Sequence, residues 1–462
     1  MNLEKSISIV ERDKKVVAEC QHLSYYPLAI AKCENATITD ADGNEFIDFL
    51  SSASSLNMGS TNPIVTEAIK KQLENFTQYT AAYTYNEQTT AYAERLVSKF
   101  PGGVKAKIAF GNCGSDANDC AVKFARAYTG RQKIIVFING YHGNTYGSAT
   151  MTTCSTKMHE KMGPFLPEIY AFPFFGVDQD DATVEKECVK DIETAFSTWM
   201  PANEVAAVVI EPIQGDGGIL PAHPIFMKKL YELCQKNGIL FIAEEVQQAF
   251  YRTGKMFSIE NYDIVPDGII MGKSIGGGLT LGAFMAREEI MNCLPAPAHL
   301  FTLGGNSIAC AAGIAAFDMY ETEEFQTMLK NKIDYLWKLA EELKQKHPEL
   351  VTFYRGIGMS MSIGIDDKDP DAAFKILYRS FEKGLVVISI AGSILRIQPP
   401  LTIPDEQLKR GFEIISESIE EYQAGKISDD VLVNRAGWKN FLPAPQYCKM
   451  SKKFLDLAMA EV

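Results

Sequence analysis

The sequence predicts an α/β protein: a mostly parallel central sheet with helices on both faces, followed by a smaller α+β domain. Two observations carry this. Continuous apolar runs at Ala106 to Phe110, Ile134 to Ile138, Val205 to Ile210, Ile239 to Ala243 and Gly268 to Met271 alternate with helical or loop segments. That alternation marks parallel strands buried on both sides. After residue 306 the pattern changes to an alanine-rich helix, a long charged helix and shorter strands. A chain of 462 residues, 46% of them hydrophobic, is long enough to bury more than one core.

From the N-terminus, residues 36 to 50 read as two short strands around an Asp42-Gly43 turn. Ile64, Val65, Ala68, Ile69 and Leu73 have helical spacing, and Thr89 to Phe100 gives another helix. The five apolar runs follow. Leu281 to Ala286 comes so soon after the fifth run that no crossover helix fits between them, so it reads as an antiparallel neighbour. Beyond it come helices at Ser307 to Tyr320 and about Glu323 to Lys346. Met359 to Ile365, Ala372 to Lys383, Leu385 to Ser389, Ile394 to Gln398 and Glu406 to Tyr422 then alternate strand and helix. The expected units are an N-terminal segment (1–62), a large domain (63–305), a small domain (306–425) and a tail with one helix (426–462).

The net charge of −13, without a block of basic residues, argues against nucleic acid or an anionic membrane as partner. No run of 18 apolar residues would span a bilayer, and the first residues lack a signal-peptide core, so a soluble, cytoplasmic protein is expected. Ten cysteines without a C-x-x-C pair point to reduced thiols, with no metal site.

In such a sheet ligands bind beyond the carboxyl ends of the strands. Those ends carry unusual residues. After the first run, Gly111-Asn112-Cys113-Gly114-Ser115 opens a helix on which Ala117, Ala121, Phe124, Ala125 and Tyr128 share a face. Its free N–H groups suit a phosphate, although an ordinary N-cap at Ser115 accounts for the same residues. The pattern matches no nucleotide-binding motif. After the second run, Tyr141 sits among glycines, placed to lie on a planar ring or to pack locally. After the third, Glu211 and Asp216 bring two carboxylates to the same sheet edge, Asp216-Gly217 being also a common turn pair. After the fourth, Glu244 and Glu245 are adjacent acids at a buried strand end, which is costly without a cationic partner such as a protonated ring nitrogen. The fifth run stops at Lys273, set among glycines.

Together these motifs resemble the fold-type I pyridoxal-phosphate enzymes of the class III aminotransferase family, over roughly residues 36 to 423. The resemblance implies a Schiff base between pyridoxal 5'-phosphate and Lys273. It places the phosphate on Gly114 and Ser115, aided by Thr302 of a partner subunit. Tyr141 and Val246 would flank the ring, with Gln247 near its hydroxyl and Glu244 against its nitrogen. Glu244 stands where most of the family has aspartate, and Glu245 is its rival if the register shifts by one. Arg396, by itself readable as a solvated strand arginine, would fork onto the substrate carboxylate.

Several stretches resemble the amino-acid epimerase and racemase branch of that family, among them Gly114-Ser115-Asp116-Ala117-Asn118-Asp119 and Gln214-Gly215-Asp216-Gly217-Gly218-Ile219. Asp216 occupies the position where ω-transaminases carry a glutamate that masks the arginine. The expected activity is racemisation or 2-epimerisation of a neutral, apolar free amino acid, with Lys273 and Asp216 as bases and Tyr141 assisting. An aminotransferase is the alternative, and Gln247 and Arg252-Thr253-Gly254 are compatible with it. The family assembles its site across a dimer, so a homodimer or homotetramer is expected.

Overall fold

A computed structural model describes residues 1–366 and 368–434. The tail helix expected within 426–462 falls largely outside the described residues.

The large sheet has seven strands. From one edge to the other they are Ala106–Gly111, Gly282–Arg287, Gly268–Met271, Leu240–Glu244, Val205–Ile210, Lys133–Phe137 and Ile169–Phe172. Gly282–Arg287 alone runs opposite to the other six strands, as the short link after Lys273 requires. The central strands are buried on both faces, so Val205–Ile210 and Gly268–Met271 are apolar without alternation. Ile169–Phe172 was not expected. As an edge strand it is half-exposed, and its apolar run of four residues, Ile-Tyr-Ala-Phe, is too short to stand out as a buried strand.

Helix Gly114–Thr129 covers one face of the sheet with Ala117, Ala121, Phe124 and Ala125 buried. Tyr128, expected on the same stripe, is exposed on the last turn before the left-handed cap Gly130. The N-cap of this helix is Cys113, not Ser115. The Asp116 carboxylate accepts from the backbone N–H of Asn112 (2.7 Å) and of Cys113 (3.2 Å), which closes the first turn, while the Ser115 hydroxyl accepts from Asn144 N–H (3.1 Å).

Strands Val351–Ile357, Ser360–Ile365, Ile394–Ile397 and Ile388–Ile390 form a second, antiparallel sheet. Helices Glu323–Lys346 and Ala372–Glu382 pack with it, and helix Asp405–Gln423 packs on those two helices. The single strand expected over Leu385 to Ser389 is divided at Val387. Leu385–Val386 pairs instead with the N-terminal strand Glu45–Asp48, so the N-terminal segment is stitched to the C-terminal part of the chain. Helix Ser307–Tyr320 packs on helices Pro63–Asn75 and Glu87–Ser98. No described helix is long and apolar enough to cross a membrane, and Cys113, Cys120, Cys234 and Cys310 are free thiols.

One local feature departs from anything the sequence suggested. Ser51, Ser52, Ala53 and Ser54 all have positive φ, from 44° to 64°, and form one left-handed turn. Such a conformation costs L-residues roughly 1–2 kcal/mol each and normally occurs singly. Here the Asp48 carboxylate accepts from the N–H groups of Leu50 (2.7 Å) and Ser51 (2.8 Å), and the turn is closed by Leu56 N–H donating to the Ser51 carbonyl (3.1 Å).

Candidate active site

The carboxyl ends of the parallel strands converge on a cavity of about 360 Å³. Its walls include Gly114, Ser115, Tyr141, Glu211, Asp216, Glu244, Val246, Gln247 and Lys273. Nine residues singled out in the sequence thus share one space, each delivered by a strand end or the loop after it. The volume suits a small cofactor with its substrate.

Lys273 follows Gly268–Met271 by two residues and has φ +51°. A non-glycine residue held in that region at a site is strain retained by its surroundings. Burial lowers the proton affinity of its amine, opposed by the nearby charges of Asp216, Glu244 and Glu211 and reinforced by Arg396. A neutral amine is the form that attacks a carbonyl or accepts a proton.

The two adjacent acids have separate tasks. Glu245 is fully buried and accepts from Ser258 N–H (2.9 Å), Ser258 Oγ (2.8 Å) and Ile259 N–H (2.7 Å). It anchors the turn that follows and does not line the cavity. Glu244 does line it, and its one hydrogen-bond partner among the described residues is Asn118 Nδ2 at 3.4 Å. Burial, reinforced by the charge of Glu211, drives its carboxyl well above the usual carboxylate range. An under-partnered buried acid at the rim of a cavity is suited to a cation that the chain itself does not supply.

Glu211 accepts from Tyr141 N–H (3.1 Å) and Gly215 N–H (3.1 Å), which ties the second strand end to the third. Its carboxyl is pushed up to about 8, by burial first and then by Asp216. The Tyr141 hydroxyl accepts from Asn144 Nδ2 (3.0 Å), and burial raises it above the usual phenol range. Gly114 and Gly272 bring two backbones together. A Cβ on Gly272 would lie 3.0 Å from Gly114 N, and one on Gly114 would lie 2.7 Å from Val246 Cγ1. Only glycine lets the start of the helix and the lysine loop approach so closely.

Arg396 is 2% exposed, so it is no solvated strand arginine. Its Nη2 donates to Asp216 Oδ1 (3.2 Å) and to Gln247 Oε1 (2.9 Å). Asp216 therefore closes over the guanidinium, while the Arg396 Nε has no partner among the described residues. Thr302 lies apart. It is exposed, outside its own chain's cavity, and its carbonyl accepts from Gln78 Nε2 (3.3 Å).

Sequence reasoning missed three parts of the wall. His142, next to Tyr141, is buried with Nδ1 unpartnered among the described residues, and burial lowers its imidazole to about 4, so it is neutral. Its position beside the glycine-flanked tyrosine was the available signal. Ser55 comes from the distant N-terminal segment, and Leu279, Thr280 and Leu281 follow the lysine loop. Neither carries a chemical signature.

Residues 20–419 match the model of the aminotransferase class-III family. The chain belongs to that family. Class III aminotransferases and their relatives include an isoleucine 2-epimerase of Lentilactobacillus buchneri, 38% identical over 94% of this chain and 99% of its own. A leucine/methionine racemase of Thermococcus litoralis is 34% identical over 93% and 99% of the two chains. Among solved structures, ornithine aminotransferase from Toxoplasma gondii superposes with a TM-score of 0.80 at 26% identity, covering 91% of this chain and 96% of that one. The cofactor of this class III protein is pyridoxal phosphate, and the residues present fit it. A glycine-opened helix start at the cavity would suit a phosphate, an aromatic ring stands at the wall, burial lowers the proton affinity of the Lys273 amine, and the under-partnered Glu244 would suit a cationic ring nitrogen.

Proposed function

We propose that the protein is a racemase or 2-epimerase that inverts Cα of a neutral, apolar free amino acid. The observation that supports this most is the Asp216 carboxylate lining the same cavity as the Lys273 amine, with Arg396 between Asp216 and Gln247. Pyridoxal phosphate held at Lys273 supplies the electron sink that acidifies the Cα–H bond. The rest falls to the chain. Gly114 and Ser115 bind the phosphate, joined by Thr302 of a second copy in a homodimer or homotetramer; its exposure outside its own cavity is consistent with that. Tyr141 and Val246 would flank the ring, Gln247 would face its hydroxyl, and Glu244 would keep its nitrogen protonated, as the cavity lining allows. Arg396 receives the substrate carboxylate through a planar fork.

Once released, the Lys273 amine takes the α-proton from one face. Asp216, having taken up a proton from solvent, donates it to Cα from the other, and Tyr141 orders the space between them. Roles exchange in the reverse direction. Glu211, whose proton affinity burial raises, accepts from the N–H groups of Tyr141 and Gly215 and holds both in place.

Aminotransfer is the second reading, favoured by the likeness to ornithine aminotransferase and by Gln247 at the cavity wall. Holoenzyme incubated with a single L-amino acid separates the two. Racemisation gives the D-isomer on chiral chromatography without any 2-oxo acid. D-isomer absent, with amino transfer only when a 2-oxo acid is added, refutes the proposal.

A further inference from the structure

The left-handed turn at Ser51–Ser54 and the fully buried Arg252 have no place in the chemistry above, yet both touch the segments that carry it. At one end of the turn the Ser51 hydroxyl donates to the carbonyl of Gln398 (2.8 Å), two residues beyond Arg396. That hydroxyl also accepts from Arg252 Nη2 (3.1 Å). Arg252 in turn donates to Asn57 Oδ1 (2.6 Å) and to the carbonyls of Pro399 (2.6 Å) and Met359 (3.3 Å), so the anchor is rigid. At the other end, the carbonyl of Ser54 accepts from the hydroxyl of Ser274 (2.6 Å), the residue after Lys273.

Two strained backbones are therefore clasped together. Four successive residues with positive φ meet a lysine that itself has φ +51°. Neither conformation is one that these side chains prefer, and each is held by bonds to the other's neighbourhood. A left-handed turn is short and stiff, so the bonds at its two ends define a distance. On one side of that distance is the lysine loop; on the other is the strand end that carries the arginine.

We propose that the Ser51–Ser54 turn is a strut that sets Lys273 against Arg396, with Ser274 and Ser51 as positioning residues at its two ends. The consequence is geometric. A substrate held by its carboxylate at Arg396 presents Cα to the Lys273 amine only while the strut fixes both, and reacting groups misplaced by about 1 Å lose up to about a hundredfold in rate. Ser51 and Ser274 touch neither substrate nor cofactor in this scheme. They act through the backbones they hold.

The inference rests on the reading that Lys273 carries the cofactor and Arg396 the substrate carboxylate. Its test uses holoenzyme in four forms: wild type, Ser274→Ala, Ser274→Thr and Ser51→Ala. The readouts are the pH midpoint of the visible absorption of the Lys273-bound cofactor, kcat, KM, and inhibition by 4-methylpentanoate, an apolar carboxylate without an amine. Ser274→Ala is expected to move the pH midpoint and lower kcat about tenfold, with the inhibition constant within about twofold of wild type. Ser274→Thr, which keeps the hydroxyl, restores both. Ser51→Ala acts at the other end and weakens 4-methylpentanoate about fivefold, as well as lowering kcat. Ser274→Cys, a weaker donor of similar size, falls between threonine and alanine and serves if the alanine variant does not fold.

Ser274→Ala with an unchanged midpoint and kcat overturns the strut. So does equal impairment of the alanine, cysteine and threonine variants, which would mark crowding and not the hydroxyl. A wild type without the visible band refutes the functional reading itself, and the strut falls with it.

Discussion

The adjacent acids Glu244 and Glu245 give the sharpest contrast that this structure offers, because their surroundings predict opposite outcomes for the same substitution. Each Glu245 oxygen accepts from a backbone N–H of the following turn as well as from Ser258 Oγ. In Glu245→Gln one end becomes a donor, and whichever end that is faces a backbone N–H. One buried N–H is then orphaned beside a second donor, at a cost of about 3 kcal/mol for the lost charge-assisted bond and the unmet group. Glu244→Gln removes little, because the long Asn118 contact is the one bond Glu244 has among the described residues. Its proton affinity is raised by burial, so its contribution to stability is present at low pH and lost as pH rises toward the folded value. At pH 8 the amide therefore leaves the apo-protein as stable as wild type or more so. Thermal unfolding of apo-protein at pH 8 should show Glu245→Gln melting several degrees lower and Glu244→Gln unchanged or higher. Cofactor titration followed by visible absorption should reverse the order, with Glu244→Gln weakened and Glu245→Gln close to wild type. If Glu244→Gln destabilises the apo-protein as much as Glu245→Gln, or binds the cofactor as wild type does, the assignment of the two acids is wrong.

Three further outcomes are expected. Asp216→Asn keeps an oxygen for Arg396 but loses the acid, so racemisation should fall by about a hundredfold or more while cofactor binding is retained; equal activity would remove Asp216 from the chemistry. Arg396→Lys loses the planar fork and should raise KM about tenfold, with a smaller change in kcat, which initial rates over a range of substrate concentrations will show. His142 is held neutral, its imidazole lowered to about 4 from an ordinary 6.5, so below pH 6.5 the unfolded chain binds a proton that the folded chain refuses. Stability should thus decline by about 3 kcal/mol between pH 6.5 and 4 from this group, and His142→Gln should flatten the melting profile over that window.

What was legible in the sequence follows from how each signal is written. The central strands could be read because burial on both faces demands unbroken apolar runs, as in Val205–Ile210. Edge strand Ile169–Phe172 and the short, separated Leu385–Val386 and Ile388–Ile390 could not, since their pairing is decided by partners far along the chain. Lys273 and Glu244 stood out because a charge at the end of an apolar run is costly without a purpose, whereas Arg396, inside strand Ile394–Ile397, took its role from the family resemblance alone. Ser55 and Ser274 did not. A serine is at home anywhere, and only the fold reveals that the hydroxyl of one reaches the carbonyl before the other. The left-handed turn was invisible for a related reason, as nothing in Ser-Ser-Ala-Ser announces positive φ where glycine is absent. Ser115 illustrates the reverse case: local capping rules allowed it as an ordinary N-cap, whereas Asp116 bonds back to Asn112 and Cys113 and moves the cap upstream.

The central claim is that a proton leaves Cα on the Lys273 side and another arrives on the Asp216 side, with the amino group never leaving the carbon. Its most direct test is an L-amino acid incubated with holoenzyme in deuterated water, without any 2-oxo acid, followed early in the reaction by mass spectrometry of the separated isomers. The account predicts one deuterium at Cα in essentially every molecule of D-product, while the remaining L-substrate is still protonated. D-product that keeps the original hydrogen, or the absence of D-product until a 2-oxo acid is supplied, would contradict it.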